Sequence, residues 1–232
     1  MRTRVGRLAT LVVTGLLVGG SPVFAQVPTG LLEAANNADP VSSAAAQYSL
    51  GIMYDLGEGV PQDNAEAARW YQLAAVQGNA HAQFSLGFLY ATGAGVPKNN
   101  VAAVRWYRLA AAQGNAQAQY NLGDKYKNGE GVPEDNAAAV RWYRLAAAQG
   151  NVRAQGSLGL MYATGAGVPQ NYQRAYMWFS LEVARQSAAD RDIAVINRDR
   201  ASEYLTPEQL SRAQVQATRC FNSNFTDCGE PD

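Results

Sequence analysis

The sequence predicts an all-α solenoid of antiparallel helix pairs, and three observations carry that reading. The stretch Leu-Gly-x-x-Tyr-x-x-Gly-x-Gly-Val-Pro, followed by Arg-Trp-Tyr, runs from Leu50 to Tyr71 and returns at 86–107, at 122–143 and, altered, at 158–179. Pro61, Pro97, Pro133 and Pro169 stand 36 residues apart, as do Trp70, Trp106, Trp142 and Trp178. Such a period marks stacked supersecondary units. Within a unit the apolar residues fall at helical spacing, as Ala46, Leu50 and Tyr54 do, and a glycine pair then splits the unit into a helix A and a helix B.

The elements follow in order. Arg2, Arg4 and Arg7 precede an apolar run at 8–19, and Val23-Phe24-Ala25 offers a cleavage site. Residues 1–25 are therefore expected to be a cleaved signal peptide. The apolar run is short for a membrane span, and no cysteine follows it to accept a lipid. Removing residues 1–25 takes away three arginines and no acid, leaving 16 basic against 19 acidic residues. A chain so near neutrality lacks the basic stripe that phosphate backbones attract, which argues against nucleic acid as a partner. No other stretch is long and apolar enough for a membrane. The expectation is an exported chain, periplasmic or secreted.

Residues 26–43 form an N-terminal segment in which Leu31–Ala35 is expected to be a short helix, half a repeat covering the first full one. Four units follow, at 44–79, 80–115, 116–151 and 152–187. In the first, helix A is predicted from about Ala44 to Leu56, broken by Gly57 and Gly59. Asp63 is read as the N-cap of helix B, with Asn99, Asp135 and Asn171 as its equivalents. Gly78, Gly114 and Gly150 supply the C′ position. Gly51, Gly87, Gly123 and Gly159 lie inside helix A, where glycine costs about 1 kcal/mol against alanine. Their recurrence predicts a close approach by helix B. The tryptophans are read as the large core residues between units, each worth roughly 3–5 kcal/mol on truncation.

The last unit departs from the others. Met177 replaces an arginine, Glu182 and Val183 replace small residues, and Gln186 replaces the C′ glycine, so helix B is expected to run on. Residues 188–204 look helical too. Thr206-Pro207-Glu208-Gln209 combines an N-cap, a proline at N1 and a capping-box glutamine, opening a terminal helix to about Arg219. Residues 188–219 are thus read as caps that keep the last unit's apolar face out of water. Residues 220–232 are read as a tail closed by a Cys220–Cys228 disulfide. Its loop is short, so the bond is expected to pin a tail rather than hold up the core.

The pattern Ala-x-Ala-Gln-Tyr-x-Leu-Gly-x-x-Tyr-x-x-Gly-x-Gly-Val-Pro-x-Asp, then Ala-x-x-Trp-Tyr-x-x-Ala-Ala-x-Gln-Gly, closely resembles the Sel-one-like repeat family of the tetratricopeptide-like group. The resemblance covers residues 44–187. It implies a right-handed superhelix with helix A on the concave side, and a role as adaptor or regulator in protein complexes. Some cysteine-rich exported relatives are described as penicillin-binding or β-lactam-hydrolysing. They carry a cysteine pair in each repeat. The four repeats here carry none, so that activity is kept only as the alternative, beside glycan binding.

No catalytic constellation is visible. There is no His-Glu-x-x-His, Ser-x-x-Lys or Gly-x-Ser-x-Gly, and His81 is the single histidine. The Gly-x-Gly loops lack the preceding strand and following lysine of a phosphate cradle. Glu58, Glu130 and Glu134 are read as solvated, with no convergence of oxygen ligands for a metal. Asn224-Phe225-Thr226 fits a glycosylation sequon by chance, and Cys220 and Cys228 read as a clip rather than a redox pair. No cofactor, metal or catalytic residue is expected.

Four copies of one unit separate the positions that the fold fixes from those it leaves free. Along helix A the free positions are spaced 4, 3 and 4, which puts them on one face. In this reading Ile52 and Leu56, His81 and Phe88, Gln117, Asp124 and Asn128, and Arg153 and Leu160 line a groove for a segment of a partner protein. Ser49, Ser85, Asn121 and Ser157 stand beside them. Met53, Leu89 and Met161 are expected to help as apolar anchors, and Asp124, Lys125 and Lys127 to form a polar station. The competing reading makes Ile52, Phe88 and Leu160 ordinary core. Against it stand Asp124 and Lys125, which would be costly at the same places if buried unpaired.

Overall fold

The computed structural model describes residues 27–37, 39–187, 191–225 and 227–229. The expected signal peptide and Thr226 of the sequon lie outside them. The described residues form eleven α-helices and no strand. These are α1 (Thr29–Ala35), α2 (Pro40–Leu56), α3 (Asn64–Val76), α4 (Ala80–Thr92), α5 (Asn100–Ala112), α6 (Ala116–Asn128), α7 (Asn136–Ala147), α8 (Val152–Thr164), α9 (Tyr172–Arg185), α10 (Arg191–Ser202) and α11 (Pro207–Asn222). Each packs on the next from α1 to α10, and α11 returns to pack on α9. The result is an all-α solenoid of repeats.

Local chemistry sets the boundaries. Asp63, Asn99, Asp135 and Asn171 each accept a backbone N–H at the start of a helix B. Asn79, Asn115 and Asn151 do the same for helix A, a second set of caps that the sequence reading passed over. The first helix A begins at Pro40 rather than near Ala44. Asp39 caps it through the Ser42 amide, with proline at N1. The last helix B does not run on past Gln186, which is extended at φ −75° and ψ 148°. Helix α11 carries the full capping box at Thr206 and Gln209. It continues to Asn222, so Cys220 is helical rather than part of a tail.

The close approach predicted at the helix-A glycines is real, and its agent is the tyrosine of helix B. A Cβ on Gly87 would lie 2.8 Å from the Tyr107 ring, and one on Gly123 would lie 2.6 Å from that of Tyr143. Tyr71 and Phe179 stand over Gly51 and Gly159 in the same way. Tyr71, Tyr107 and Tyr143 are buried to within 2%. Trp70, Trp106 and Trp142, one residue earlier, are only half-buried and rest against the cluster of the preceding helices. The large core residue is thus the tyrosine, and only Trp178 fills the role expected of every tryptophan. A second close approach joins the units: Gly95, Gly131 and Gly167, at φ near +70°, lie against the backbone of Asn64, Asn100 and Asn136.

Polar side chains also tie neighbouring helices. Gln77, Gln113 and Gln149 donate to the amide oxygens of Gln47, Gln83 and Gln119 at 2.6, 2.8 and 2.7 Å. Gln47, Gln83 and Gln119 in turn donate to the carbonyls of Ala35, Ala75 and Ala111, one helix back. At the C-terminal end Cys220 and Cys228 are bonded. Both, with Phe225, lie in the buried cluster that holds Met177, Trp178 and Leu181. The clip therefore closes the last core rather than pinning a loose tail.

Candidate interaction face on helix A

The free positions of helix A divide by burial. Leu56, Phe88 and Leu160 are 61%, 48% and 42% exposed. His81, Gln117, Asn128 and Arg153 are exposed as well. Ile52 is half-buried against the first inter-repeat cluster. Leu89 and Met161 are buried core, each 2% exposed, because they sit one position round the helix. They are not anchors. Met53 is half-buried against Ala35, Ala46 and Leu50.

The polar station is also rearranged. Asp124 is half-buried and accepts a 2.6 Å hydrogen bond from the Tyr143 hydroxyl. Burial above all, then the Asp124 carboxylate, pushes that hydroxyl's pKa well above the usual tyrosine range. The same two causes raise Tyr120 to about 12. Lys125 reaches back to donate to Asn100 Oδ1 at 2.9 Å and pairs with Glu130 at 2.5 Å. That lysine holds the Glu130 carboxyl below its ordinary value, so Glu130 is not merely solvated. Only Lys127 of the expected station stands exposed. His81 is exposed, but its ring stacks on Tyr48 at 5.8 Å.

Beside this face runs an aromatic row. Tyr48, Phe84 and Tyr120 lie 5.7, 6.0 and 5.8 Å from Tyr71, Tyr107 and Tyr143. The fourth place is Gly156, and the Glu182 carboxylate occupies the vacated space, 2.5 Å from where a Cβ would be. In the other units the Glu182 position is Ala74, Ala110 and Ala146, all fully buried. The loss of the aromatic at Gly156 and the gain of Glu182 are thus one exchange of volume. It leaves polar debts: Glu182 Oε2, Gln155 Oε1 and Gln186 Oε1 are buried without a hydrogen-bond partner. Gln155 lacks a donor because the residue equivalent to Gln149 is Arg185. The guanidinium of Arg185 lies over the Phe225 ring at 5.1 Å instead. Burial raises the Glu182 pKa. Among the described residues no group of three or more His, Cys, Asp or Glu could hold a metal ion, and no helix is long and apolar enough to cross a membrane.

The Sel1 repeat family matches residues 44–79, 80–115, 116–151 and 152–181, more than half of the chain. The chain belongs to the Sel1 repeat family. Among solved structures it is similar to c5321, a protective antigen present in uropathogenic Escherichia coli strains that displays an SLR fold. The identity is 32% with a TM-score of 0.67, over 82% of this chain and 44% of that one, so it spans less than half of that relative. It is also similar to a Sel1 repeat protein from Oxalobacter formigenes, at 29% identity and a TM-score of 0.62, over 81% of this chain and 92% of the other. No curated protein matches the chain. Sel1 repeat proteins generally mediate protein–protein interactions. Here the repeat leaves helix A as the element that varies from unit to unit.

Proposed function

We propose that this chain is an exported, non-enzymatic interaction module that binds a segment of a partner protein along the exposed face of its A helices. The observation that supports this is the exposure of Phe88 and Leu160 at equivalent positions of two repeats. Large side chains kept in water at places the fold leaves free act as anchors once a partner desolvates them. Leu56 and Ile52 extend the apolar set, and His81, Gln117, Asp124, Asn128 and Arg153 supply the polar contacts around it. Asp124 enters with its hydroxyl partner attached, as an acceptor with one lone pair already used. The covalently closed cap at Cys220 and Cys228 suits an oxidising compartment, which supports export.

The test is affinity capture from an envelope extract, comparing the wild type with a Phe88→Glu, Leu160→Glu variant shown by its melting curve to be folded. A protein retained by the wild type and lost by the variant supports the reading. Identical capture by both removes the helix-A face as the site.

A further inference from the structure

The outward residues of helix B repeat without change in three units: Arg69-Trp70-x-x-Leu73, Arg105-Trp106-x-x-Leu109 and Arg141-Trp142-x-x-Leu145. Arginine and leucine, four apart, share one helix face. Leu73, Leu109 and Leu145 are 46%, 44% and 50% exposed, although a following unit packs beside each of their helices. Repeat stacking therefore does not cover this face. One exposed leucine is unremarkable; three in register are a surface. The same positions on α9 are Met177, Trp178 and Leu181, which are 0%, 2% and 1% exposed. Their cover belongs to the chain itself. Helices α10 and α11 both pack on α9, and Ala213, Ala217 and Cys220 of α11 share the buried cluster with them. Gln173 donates to the Gln209 carbonyl at 3.3 Å, which fixes α11 along α9.

We propose that the Arg–Leu face of α3, α5 and α7 is a second docking surface, and that its occupant is an amphipathic partner helix with a small apolar seam flanked by acidic residues. Helix α11 is the example in cis: an amphipathic helix whose seam of Ala213, Ala217 and Cys220 is seated on the equivalent face of α9. The difference between α9 and the open helices gives the partner's charge. Where α11 lies, the arginine has become Met177. Where the face is open, Arg69, Arg105 and Arg141 remain exposed. Helices α5 and α7 hold no acidic residue to neutralise Arg105 and Arg141. Carboxylates flanking the incoming seam complete charge-assisted pairs with them. Small seam residues let the partner backbone approach the leucine and tryptophan ridge closely. This surface is independent of the helix-A face.

The test uses the full chain and a fluorescein-labelled peptide of residues 207–222 carrying Arg212→Glu, Arg219→Glu and Cys220→Ala, followed by anisotropy. Saturable binding is expected, tighter than for the peptide that keeps both arginines. Arg105→Glu with Arg141→Glu should weaken it by about tenfold or more, and Leu109→Asp with Leu145→Asp should abolish it. Phe88→Glu with Leu160→Glu should leave it unchanged. Melting curves establish that each variant is folded. Absence of saturable binding overturns the proposal, as does equal binding by the arginine and leucine variants. Loss of binding in the Phe88 and Leu160 variant overturns it too, by assigning the peptide to helix A.

Discussion

Trp106 and Tyr107 are neighbours in sequence with different duties. Tyr107 is 1% exposed and lies over Gly87, with its hydroxyl accepting from Asn121 at 3.2 Å. Burial lifts its pKa to about 12. Trp106 keeps part of its ring in water. Tyr107→Ala should therefore cost roughly 3–5 kcal/mol, and Trp106→Ala clearly less, as read by urea denaturation. Gly87→Ala gains helix propensity but drives a methyl into a ring 2.8 Å away. Its net effect should be a loss of about 1–3 kcal/mol. A gain would show that Tyr107 moves aside freely. Glu182 contributes a pH dependence of its own. Its pKa in the folded chain is raised above 4.5, so the folded state favours the protonated acid. No penalty exists below pH 4.5; it grows as pH rises through the folded-state pKa and is complete above it. Glu182→Gln removes the charge and keeps an oxygen to accept from Gln186 Nε2, as Glu182 Oε1 does at 2.9 Å. It should raise Tm at pH 7 by about 2–4 °C for each kcal/mol recovered, and that gain should vanish as the pH falls to 4. An equal gain at both pH values would mean that the Glu182 pKa is not raised in the folded chain.

At the scale of helices, the N-caps make each element begin where it does. Asn115 accepts the Ala118 amide at 2.9 Å, and Asn115→Ala should cost about 1 kcal/mol. The cap set on helix B was legible from Asp63 and its equivalents. The set on helix A was hidden because Asn79, Asn115 and Asn151 directly follow glycines already assigned to end the previous helix. The tryptophans misled for a related reason. Trp and Tyr are adjacent and both recur at 36 residues, so periodicity alone cannot say which ring points inward. That depends on how far helix B is rotated, and the four glycines of helix A hold the answer only once their ring partners are known. The terminal helix is where covalent and packing terms meet. Cys220→Ala with Cys228→Ala should release about 2–3 kcal/mol of loop-closure stabilisation. Amide exchange should speed up in α11 and α9 while α4–α7 stay protected. Uniform acceleration along the chain would show that the whole array unfolds as one unit.

For the molecule as a whole, the period fixed the number of units, and the two helices of each unit followed from glycine and cap chemistry. Which exposed residues matter was less legible. Burial separates Phe88 from Leu89 and Leu160 from Met161 by one helical position, a distinction that sequence spacing blurs. The Lys125–Glu130 pair and the Asp124–Tyr143 bond were also out of reach, since each depends on the path of a loop or on a neighbouring helix. The cover that α10 and α11 give to α9 decides how long such a protein can become. The second and third units offer the same outline to the unit before and the unit after, so a duplicate of residues 80–115 inserted after Asn115 keeps the asparagine cap at both junctions and has a ready seat on both sides. A duplicate of the fourth unit does not, because its Met177 and Leu181 are shaped for α10 and α11 alone. The array is open to lengthening in its interior and sealed at its C-terminal end.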